Sequence, residues 1–275
     1  MDADLPSAYS IALALQKRLP RPWLATGANG LMWLKGDRRR FAVDGSGNWV
    51  NAQPEGTFVG PDLHTAYFER VQAIIASHWF QDYTPREGDV VIDVGAGIGE
   101  DAVVISHLVG ATGRVHAIEA HPATFACLRS TVALSKLANV AIHQIAITEQ
   151  NGTVSISDDA NHLANSIVGQ NGGLQVEAQS LDHFIEQSGQ LTVDLLKMNI
   201  EGAERGAISG LNKQAHKVRH LVISCHDFVA EAGGDVQFRT KEAVRRRLLD
   251  LGYVVTERSD AHTAWERDVL FARRA

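Results

Sequence analysis

The pattern of apolar and polar residues is most informative between residues 89 and 119. Positions 90–94 are dominated by valine and isoleucine, which predicts a short strand buried on both faces. Apolar residues then recur at helical spacing from residue 102 to Gly110, where the predicted helix ends. A second apolar run at 114–118 predicts the next strand. Strand, helix and strand in this order form the opening unit of a nucleotide-binding α/β sheet.

The apolar pattern farther along the chain extends this unit into a larger sheet. Strands are predicted at residues 140–147, 193–200 and 221–224, and helices at residues 122–136, 202–209 and 241–251. The last two predicted strands, 253–257 and 269–272, are expected to pair antiparallel. Residues 158–173 are rich in Asn and Gly, so we interpret them as a loop over a bound ligand. The predicted fold class is α/β, with a mostly parallel sheet that ends in an antiparallel hairpin.

The first 60 residues carry a different pattern and predict a small N-terminal appendage. A short helix is predicted at residues 5–19, where two prolines are expected to end it. Apolar and polar residues alternate at 31–50 and are interrupted by turn residues, which predicts a β-meander. A second helix is predicted at 65–80, and its aromatic stripe either packs in the core or lines the substrate mouth. We expect residues 1–60 to cover the substrate and residues 61–275 to bind the ligand.

Composition and charge narrow the class of protein. The chain of 275 residues is 45% hydrophobic and 21% charged, which is ordinary for a globular protein. Its net charge of −6 disfavours a nucleic-acid partner. We find no apolar run near the ~20 residues of a membrane span, no signal-peptide pattern and only two cysteines. We therefore expect a cytoplasmic protein without a membrane partner. Its oligomeric state does not follow from the sequence, and a homodimer is one option.

Candidate chemistry begins with three glycines at alternate positions after the first strand. Gly95, Gly97 and Gly99 allow a ligand to approach the backbone closely. Glu119 ends the second strand twenty positions after Gly99, where a carboxylate would meet the two hydroxyls of a ribose. Asp93 lies at the neighbouring strand end. Together these residues predict a cofactor that carries a nucleoside.

The spacing of the glycines separates this turn from a dinucleotide site. The third glycine comes one residue earlier than in G-x-G-x-x-G, and Glu100 and Asp101 occupy the first helical turn. Two carboxylates there repel a pyrophosphate but tolerate a cofactor that carries a sulfonium and an ammonium. A nicotinamide-dependent oxidoreductase is an alternative that both observations oppose.

Two segments resemble a known family. Residues 93–100, Asp-Val-Gly-Ala-Gly-Ile-Gly-Glu, resemble motif I of class I S-adenosylmethionine-dependent methyltransferases. Residues 196–204, Leu-Lys-Met-Asn-Ile-Glu-Gly-Ala-Glu, resemble the Lys-x-Asp-x-Glu-Gly-Ala-Glu signature of the FkbM methyltransferase family, and the likeness covers residues 85–270. The resemblance implies a Rossmann-like methyltransferase sheet and S-adenosylmethionine as the cofactor. It also implies O-methylation of a small-molecule, sugar, glycoside or polyketide hydroxyl.

The chain departs from this family at two positions. Asn199 stands where most of the family has Asp, and Ser224 stands where many members have Glu. Both changes remove a carboxylate from the carboxyl edge of the sheet. They motivate a second hypothesis, in which a methyltransferase-fold protein binds the cofactor or a partner without catalysis.

The resemblance also implies which residues bind the cofactor. They lie in the glycine turn, at the ends of the second and third strands, and in the loop at 158–173. The implied residues are Asp93, Gly95, Ala96, Gly97, Gly99, Glu100, Glu119, Ala120, His121, Ala146, Asn165 and Ser166.

Polar residues at the carboxyl ends of two later strands are the candidate catalytic residues. Ligands of an open α/β sheet sit beyond such ends, where Asn199, Glu201 and His226 are expected. We predict His226 as the general base, because a histidine can accept a hydroxyl proton near neutral pH. Glu201 or Asp227 would orient its ring. A divalent cation on Asn199, Glu201 and Asp227 is the mechanistic alternative. Since Asn199 lacks a carboxylate charge, we predict no metal.

Overall fold

The computed structural model of the protein describes residues 19–157, 167–168, 173–258 and 260–274. The described strands are β1 (Arg40–Val43), β2 (Trp49–Ala52), β3 (Thr57–Gly60), β4 (Val90–Val94), β5 (Arg114–Ile118), β6 (Val140–His143), β7 (Ala146–Thr148), β8 (Gly152–Ile156), β9 (Ile167–Val168), β10 (Leu174–Ser180), β11 (Val193–Asn199), β12 (Val218–Ser224), β13 (Tyr253–Glu257) and β14 (Val269–Arg274). The described helices are α1 (Arg21–Leu34), α2 (Phe68–Trp79), α3 (Glu100–Val109), α4 (Pro122–Leu134), α5 (Leu181–Gln187), α6 (Glu204–Ser209), α7 (Asp227–Glu231), α8 (Lys241–Asp250) and α9 (Ala264–Arg267). Within this part of the chain, each helix is too short or too polar to cross a bilayer.

A seven-stranded sheet forms the centre of the molecule. Its strand order is β13-β14-β12-β11-β4-β5-β6. Strand β14 runs antiparallel to both β12 and β13, and the other neighbours pair in parallel. The predicted α/β class, with a mostly parallel sheet and an antiparallel terminal hairpin, is confirmed. Strands β4, β11 and β12 are buried on both faces, which explains their nearly continuous apolar sequences.

Helices cover both faces of this sheet, so neighbouring residues of one strand enter different cores. Leu196 of β11 packs in a core with residues of α5, α6 and α8. The preceding residue, Leu195, packs in a second core with residues of α2 and α3. The predicted aromatic stripe of α2 belongs to this second core, where Phe68 and Trp79 are buried. Core packing, and not a substrate mouth, is thus the role of the buried part of the stripe.

The N-terminal region contains the predicted β-meander but begins differently from the prediction. Strands β1, β2 and β3 form an antiparallel sheet. Residues 31–34, predicted as strand, are the last turn of helix α1. This helix starts beside the prolines that were expected to end one. The N–H groups of the first helical turn have no intrahelical acceptor, so a proline there, which lacks an N–H, loses no hydrogen bond. The helix predicted at residues 5–19 lies outside the described residues, apart from its last residue.

The N-terminal sheet packs against helix α4 through hydroxyl groups. The backbone N–H of Thr57 donates to Ser135 Oγ at 2.8 Å, and the backbone N–H of Val59 donates to Thr131 Oγ1 at 3.0 Å. These bonds satisfy part of the outer edge of β3 without another strand. The sheet is therefore held at the helix that follows β5.

The segment predicted as one strand at 140–147 divides between two sheets. Strand β6 pairs with β5 in the main sheet, whereas β7 belongs to a four-stranded sheet of order β7-β10-β8-β9. Ile145 and Ile147 face the main core, while Ala146 faces a smaller core under the second sheet. Neighbouring side chains from residue 145 to residue 147 are thus buried in different layers. Strand β10 was not predicted, and the residues of β7 and β8 with which it pairs lie 18 to 32 positions earlier in the chain. The predicted loop at 158–173 lies almost wholly outside the described residues.

Candidate active site

A cavity of about 340 Å³ opens at the carboxyl ends of β4, β5 and β11. Its volume and its largely apolar wall with a few polar groups are typical of small-molecule sites. The wall includes eight residues that the sequence singled out: Gly95, Gly97, Glu119, Ala120, His121, Ala146, Asn199 and Glu201. The structure therefore brings together, in one cavity, eight of the residues that were predicted at strand ends and in the glycine turn.

Other predicted residues lie elsewhere. Asp93, Ala96, Gly99, Glu100 and His226 are not part of the cavity wall. Asn165 and Ser166 lie outside the described residues.

The glycine turn is pressed against the end of strand β11. Gly95 has a φ of +77°, which favours glycine. A Cβ atom at this position would lie 1.9 Å from the backbone oxygen of Asn199, closer than two such atoms can approach. Only glycine can therefore bring the turn this close to Asn199. Because glycine has no side chain, Gly95 and Gly97 present backbone atoms to the cavity.

Glu119 is fixed at the cavity by the turn itself. Its Oε2 accepts from the backbone N–H of Gly97 at 3.1 Å, and its Oε1 accepts from the backbone N–H of His121 at 2.8 Å. Burial raises the pKa of this carboxyl, although the two backbone donors oppose the shift. A carboxylate has about four acceptor positions, so two remain after these bonds. Two free acceptor positions match the two hydroxyls of a ribose.

Asp93 lies beneath the turn in a buried ion pair. Its Oδ1 is 2.8 Å from Lys197 Nζ, and the same ammonium lies 2.8 Å from Asp101 Oδ2. Lys197 also donates to the backbone oxygen of Gly95 at 3.2 Å. Burial raises the pKa of Asp93 to about 6 against the lowering effect of Lys197. Burial lowers the pKa of Lys197, but Asp101 and Asp93 together raise it above its ordinary value. The structure thus places Asp93 under the turn, paired with Lys197.

The two acids in the first turn of α3 are both partnered. Glu100 Oε1 lies 2.8 Å from Nε2 of His64, a residue between β3 and α2. Asp101 binds Lys197, as described above. Neither carboxylate lies on the cavity wall. Both carboxylates thus contact side chains of the protein, and the tolerance of this turn for a cationic cofactor stays a prediction.

His226 lies between two carboxylates. Its Nδ1 is 2.7 Å from Glu204 Oε1, and its Nε2 is 3.3 Å from Glu201 Oε2. Burial lowers the pKa of His226, but the bonds to Glu201 and Glu204 outweigh burial and raise it to about 10. Near neutral pH both ring nitrogens carry protons and donate to these acids. A base needs a free lone pair, so this geometry opposes the predicted role of His226 as the proton acceptor.

Asp227 is not arranged as the metal alternative would require. Its Oδ1 accepts from the backbone N–H groups of Thr240 and Lys241, at 2.8 and 2.9 Å, where α8 begins. It serves as a helix-start acceptor while Glu201 pairs with His226. In the described ranges, no group of three or more His, Cys, Asp or Glu side chains is arranged to hold a metal ion.

Two residues near His226, Glu204 and Thr240, were not predicted to have a role. Glu204 lies within the second motif, and its position three residues after Glu201 could have suggested that the two acids share a partner. Thr240 donates from its Oγ1 to Glu204 Oε2 at 2.9 Å, but it is 36 residues away in the sequence. No local pattern signals such a contact.

Comparison with known families identifies the family to which this chain belongs. Residues 93–255 match the methyltransferase FkbM domain, which is more than half of the chain. The chain belongs to the FkbM methyltransferase family. It is accordingly an S-adenosylmethionine-dependent methyltransferase, which opposes the nicotinamide alternative.

Two curated relatives are similar to this FkbM-family chain. It is 26% identical over 176 residues to the 31-O-demethyl-FK506 methyltransferase FkbM of Streptomyces tacrolimicus, with 52% of this chain and 67% of the relative covered. It is 25% identical over 157 residues to the 2-O-methyltransferase NoeI of Sinorhizobium fredii, with 50% of this chain and 63% of the relative covered. The chain therefore spans about two thirds of the length of each relative.

Solved structures are also similar to this chain. A methyltransferase FkbM from Methylobacillus flagellatus shares 16% identity at a TM-score of 0.48, with 74% of this chain and 58% of the other covered. Aeropyrum pernix fibrillarin with bound S-adenosyl-L-methionine shares 14% identity at a TM-score of 0.43, with 86% and 95% covered.

Proposed function

We propose that this FkbM-family protein is an O-methyltransferase that methylates a hydroxyl of a small molecule of sugar, glycoside or polyketide type. The names of the two curated relatives specify O-methylation, at a 31-O and a 2-O position. The observation that carries the proposal is the position of Glu201. This acid lies on the same cavity wall as Glu119 and the glycine turn.

The cofactor end of the cavity is formed by Glu119 and the glycine turn. Glu119 would bind the ribose hydroxyls through its two remaining acceptor positions, since its other two are taken by backbone N–H groups. The open backbone at Gly97, where a Cβ atom would meet nothing within 4 Å, leaves room for the cofactor beside the turn. His121, Ala120 and Ala146 complete the proposed binding wall.

The acceptor end is formed by Glu201 and Asn199. When bound, the cofactor supplies an electrophilic methyl group on its sulfonium. The chain must hold the acceptor hydroxyl in line with that group and remove its proton as the new bond forms. We assign the proton to Glu201, because both ring nitrogens of His226 already face carboxylates. Asn199 would orient the hydroxyl from the end of β11.

The N-terminal region is proposed to cover the acceptor side, with a boundary near residue 60. Gly60 at the end of β3 lies against Ile98 of the glycine turn, and His64 reaches Glu100. These contacts, which lie next to the glycine turn at one end of the cavity, support a covering role for the N-terminal sheet. The net charge of −6 continues to favour a small acceptor over a nucleic acid.

Isotope labelling tests the proposal. The enzyme is added to a lysate with heavy-methyl S-adenosylmethionine, and mass spectrometry should show a heavy methyl group on a hydroxyl-bearing metabolite. With saturating cofactor and a chelator present, Glu201→Gln should lower incorporation by ~10²–10⁴-fold, the usual effect of losing a general base. The exposed acid Glu186 supplies the control, since Glu186→Gln should leave incorporation unchanged.

Two results would contradict the proposal. Tighter binding of NADH than of S-adenosylmethionine in calorimetry would exclude the assigned cofactor site. Cofactor binding without labelling of any metabolite would favour the non-catalytic alternative, which Asn199 and Ser224 motivate.

A further inference from the structure

The acid Glu204 is buried beneath the acceptor end of the cavity. Its side chain is 0% exposed, and it accepts hydrogen bonds from three sides. The donors are the backbone N–H of Gly202 at 3.0 Å, Thr240 Oγ1 at 2.9 Å and His226 Nδ1 at 2.7 Å. A carboxylate with three donors cannot rotate without breaking a bond. Glu204 therefore fixes the ring of His226.

The ring of His226 in turn reaches Glu201. Its Nε2 lies 3.3 Å from Glu201 Oε2. The backbone of Glu201 has a φ of +48°, a conformation that residues other than glycine seldom adopt and that persists where the surroundings impose it. Unlike Glu204, Glu201 is partly exposed and lies on the cavity wall. The chain of contacts thus runs from the buried Thr240 to one acid at the cavity.

We propose that Glu204 and Thr240 are positioning residues, which act through His226 to hold the Glu201 carboxylate at the acceptor end of the cavity. The inference rests on the proposed function, because Glu201 is the group that it assigns to the acceptor proton. Neither Glu204 nor Thr240 lies on the cavity wall, so neither touches the substrate. Their effect on transfer is entirely through the place and charge of His226.

The energetics of burial favour this interpretation over a purely structural one. Apolar residues of similar volume often stabilise a core as well as a buried ion pair does. A buried histidine between two acids, next to a residue in an unfavourable backbone conformation, is therefore not needed for stability alone. It does supply a fixed positive charge beside Glu201.

Other titratable groups around His226 are already bonded or neutral. The carboxylate of Asp227 accepts from the start of α8, and Asp268 Oδ2 accepts from the backbone N–H of Phe228 at 2.7 Å. Burial raises the pKa of Cys225 well above its ordinary value, so the thiol is neutral. Lys241 Nζ pairs with Glu257, away from the histidine ring. Glu201 and Glu204 are thus the groups that set the charge of His226.

The first test reads the ring directly. In ¹⁵N NMR of the full chain, both ring nitrogens of His226 should stay protonated at pH 8, where exposed histidines have lost a proton. Glu204→Gln should let His226 lose one ring proton by that pH. A wild-type His226 that titrates near pH 6.5 like an exposed histidine would overturn the inference.

The second test reads methyl transfer into lysate metabolites. Thr240→Val should lower incorporation by about fivefold, the factor of one neutral hydrogen bond, and Thr240→Ser should restore it. Glu204→Gln should lower it by about 10²-fold through misplacement of Glu201. Cofactor affinity should stay within about twofold in each variant, below the loss of one hydrogen bond. Thr256→Val removes a matched bond to exposed Asp82 and serves as the control.

The outcomes separate this inference from the proposed function. Wild-type incorporation in both Glu204→Gln and Thr240→Val would overturn the positioning roles while leaving O-methylation intact. Absence of incorporation by the wild type would overturn the proposed function, and the NMR result would still decide the state of His226. If Glu204→Gln does not fold, Thr240→Val, its Ser rescue and the wild-type spectrum decide the question.

Discussion

Replacing Lys197 with methionine removes the one cation that the structure places between Asp93 and Asp101. Methionine keeps a long side chain near the ring of Trp79, which lies 4.8 Å from the Lys197 ammonium. The substitution therefore deletes charge with little loss of volume. Asp93, whose side chain is 0% exposed, is left without its partner, whereas Asp101 at 17% exposure can gain water.

The structure sets the size of the expected loss. At an effective dielectric constant of ~20, two unit charges 2.8 Å apart attract by about 6 kcal/mol, and desolvation offsets part of this. Breaking a buried ion pair on one side typically costs ~3–5 kcal/mol. The variant can escape a larger penalty by protonating Asp93. At pH 7.5 that proton costs about 5 kcal/mol, because the unfolded carboxyl has a pKa near 3.9 and each pH unit is worth ~1.36 kcal/mol.

Protonation gives the loss a characteristic pH dependence. In the variant the folded pKa of Asp93 is raised above its unfolded value, so the folded state binds a proton that the unfolded state releases. The deficit relative to wild type should therefore shrink by up to ~1.4 kcal/mol for each pH unit between pH 7.5 and 6, because below about pH 6 the Asp93 carboxyl of the wild type also takes up a proton. Urea unfolding at both pH values measures this change. The control is Arg246→Met, which removes an exposed pair with Glu242 and should cost ~0.3–0.5 kcal/mol. A Lys197→Met deficit below about 1 kcal/mol at pH 7.5, or one independent of pH, would refute the reasoning.

Three further predictions concern the cavity and the core. Glu119→Ala should weaken S-adenosylmethionine binding by ~1.5–3 kcal/mol in calorimetry, and unchanged affinity would contradict its assignment to the ribose. Gly95→Ala should abolish that binding because its Cβ meets the oxygen of Asn199, whereas Gly189→Ala, also at positive φ but in open space, should keep it. Burial lowers the pKa of His116 to about 4, so the folded state stays neutral where the unfolded histidine, with a pKa near 6.5, takes up a proton. The free energy of unfolding should therefore fall as pH drops from 6.5 toward 4, and His116→Gln should reduce that slope in urea titrations.

The parts of the fold that local pattern determines were predictable. Residues 90–118 show this best, because strands buried on both faces are almost entirely apolar and three glycines mark the turn that follows the first of them. Helix α1 was missed because two prolines mark either the end or the beginning of a helix, and the pattern alone does not distinguish them. The second sheet was missed because β7 acquires its place by pairing with β10, more than 25 residues later. Such long-range pairing leaves no periodic signal in either segment.

The candidate site was likewise predictable only where its residues lie in one local unit of the sequence. The glycine turn and Glu119 meet at the cavity because their spacing follows from one strand–helix–strand unit. The surroundings of His226 were predictable only in part, since Glu201 and Glu204 lie in one motif but Thr240 comes from a distant part of the chain. A histidine at a strand end looks like a base until its neighbours are known. Two carboxylates around the ring convert it into a cation.

The position of β14 has a consequence for synthesis of the chain. This strand follows β12 and β13 in sequence but lies between them in the sheet. As the polypeptide emerges from the ribosome, β12 presents an open edge, and β13 has no neighbour in the main sheet, until residues 269–274 appear. The strands that carry the glycine turn, Glu119 and Glu201 can assemble earlier than this closing step. Nascent chains are therefore most prone to edge-to-edge association between completion of β12 and insertion of β14. A slow codon would lengthen this interval, and a chaperone would protect the open edge during it.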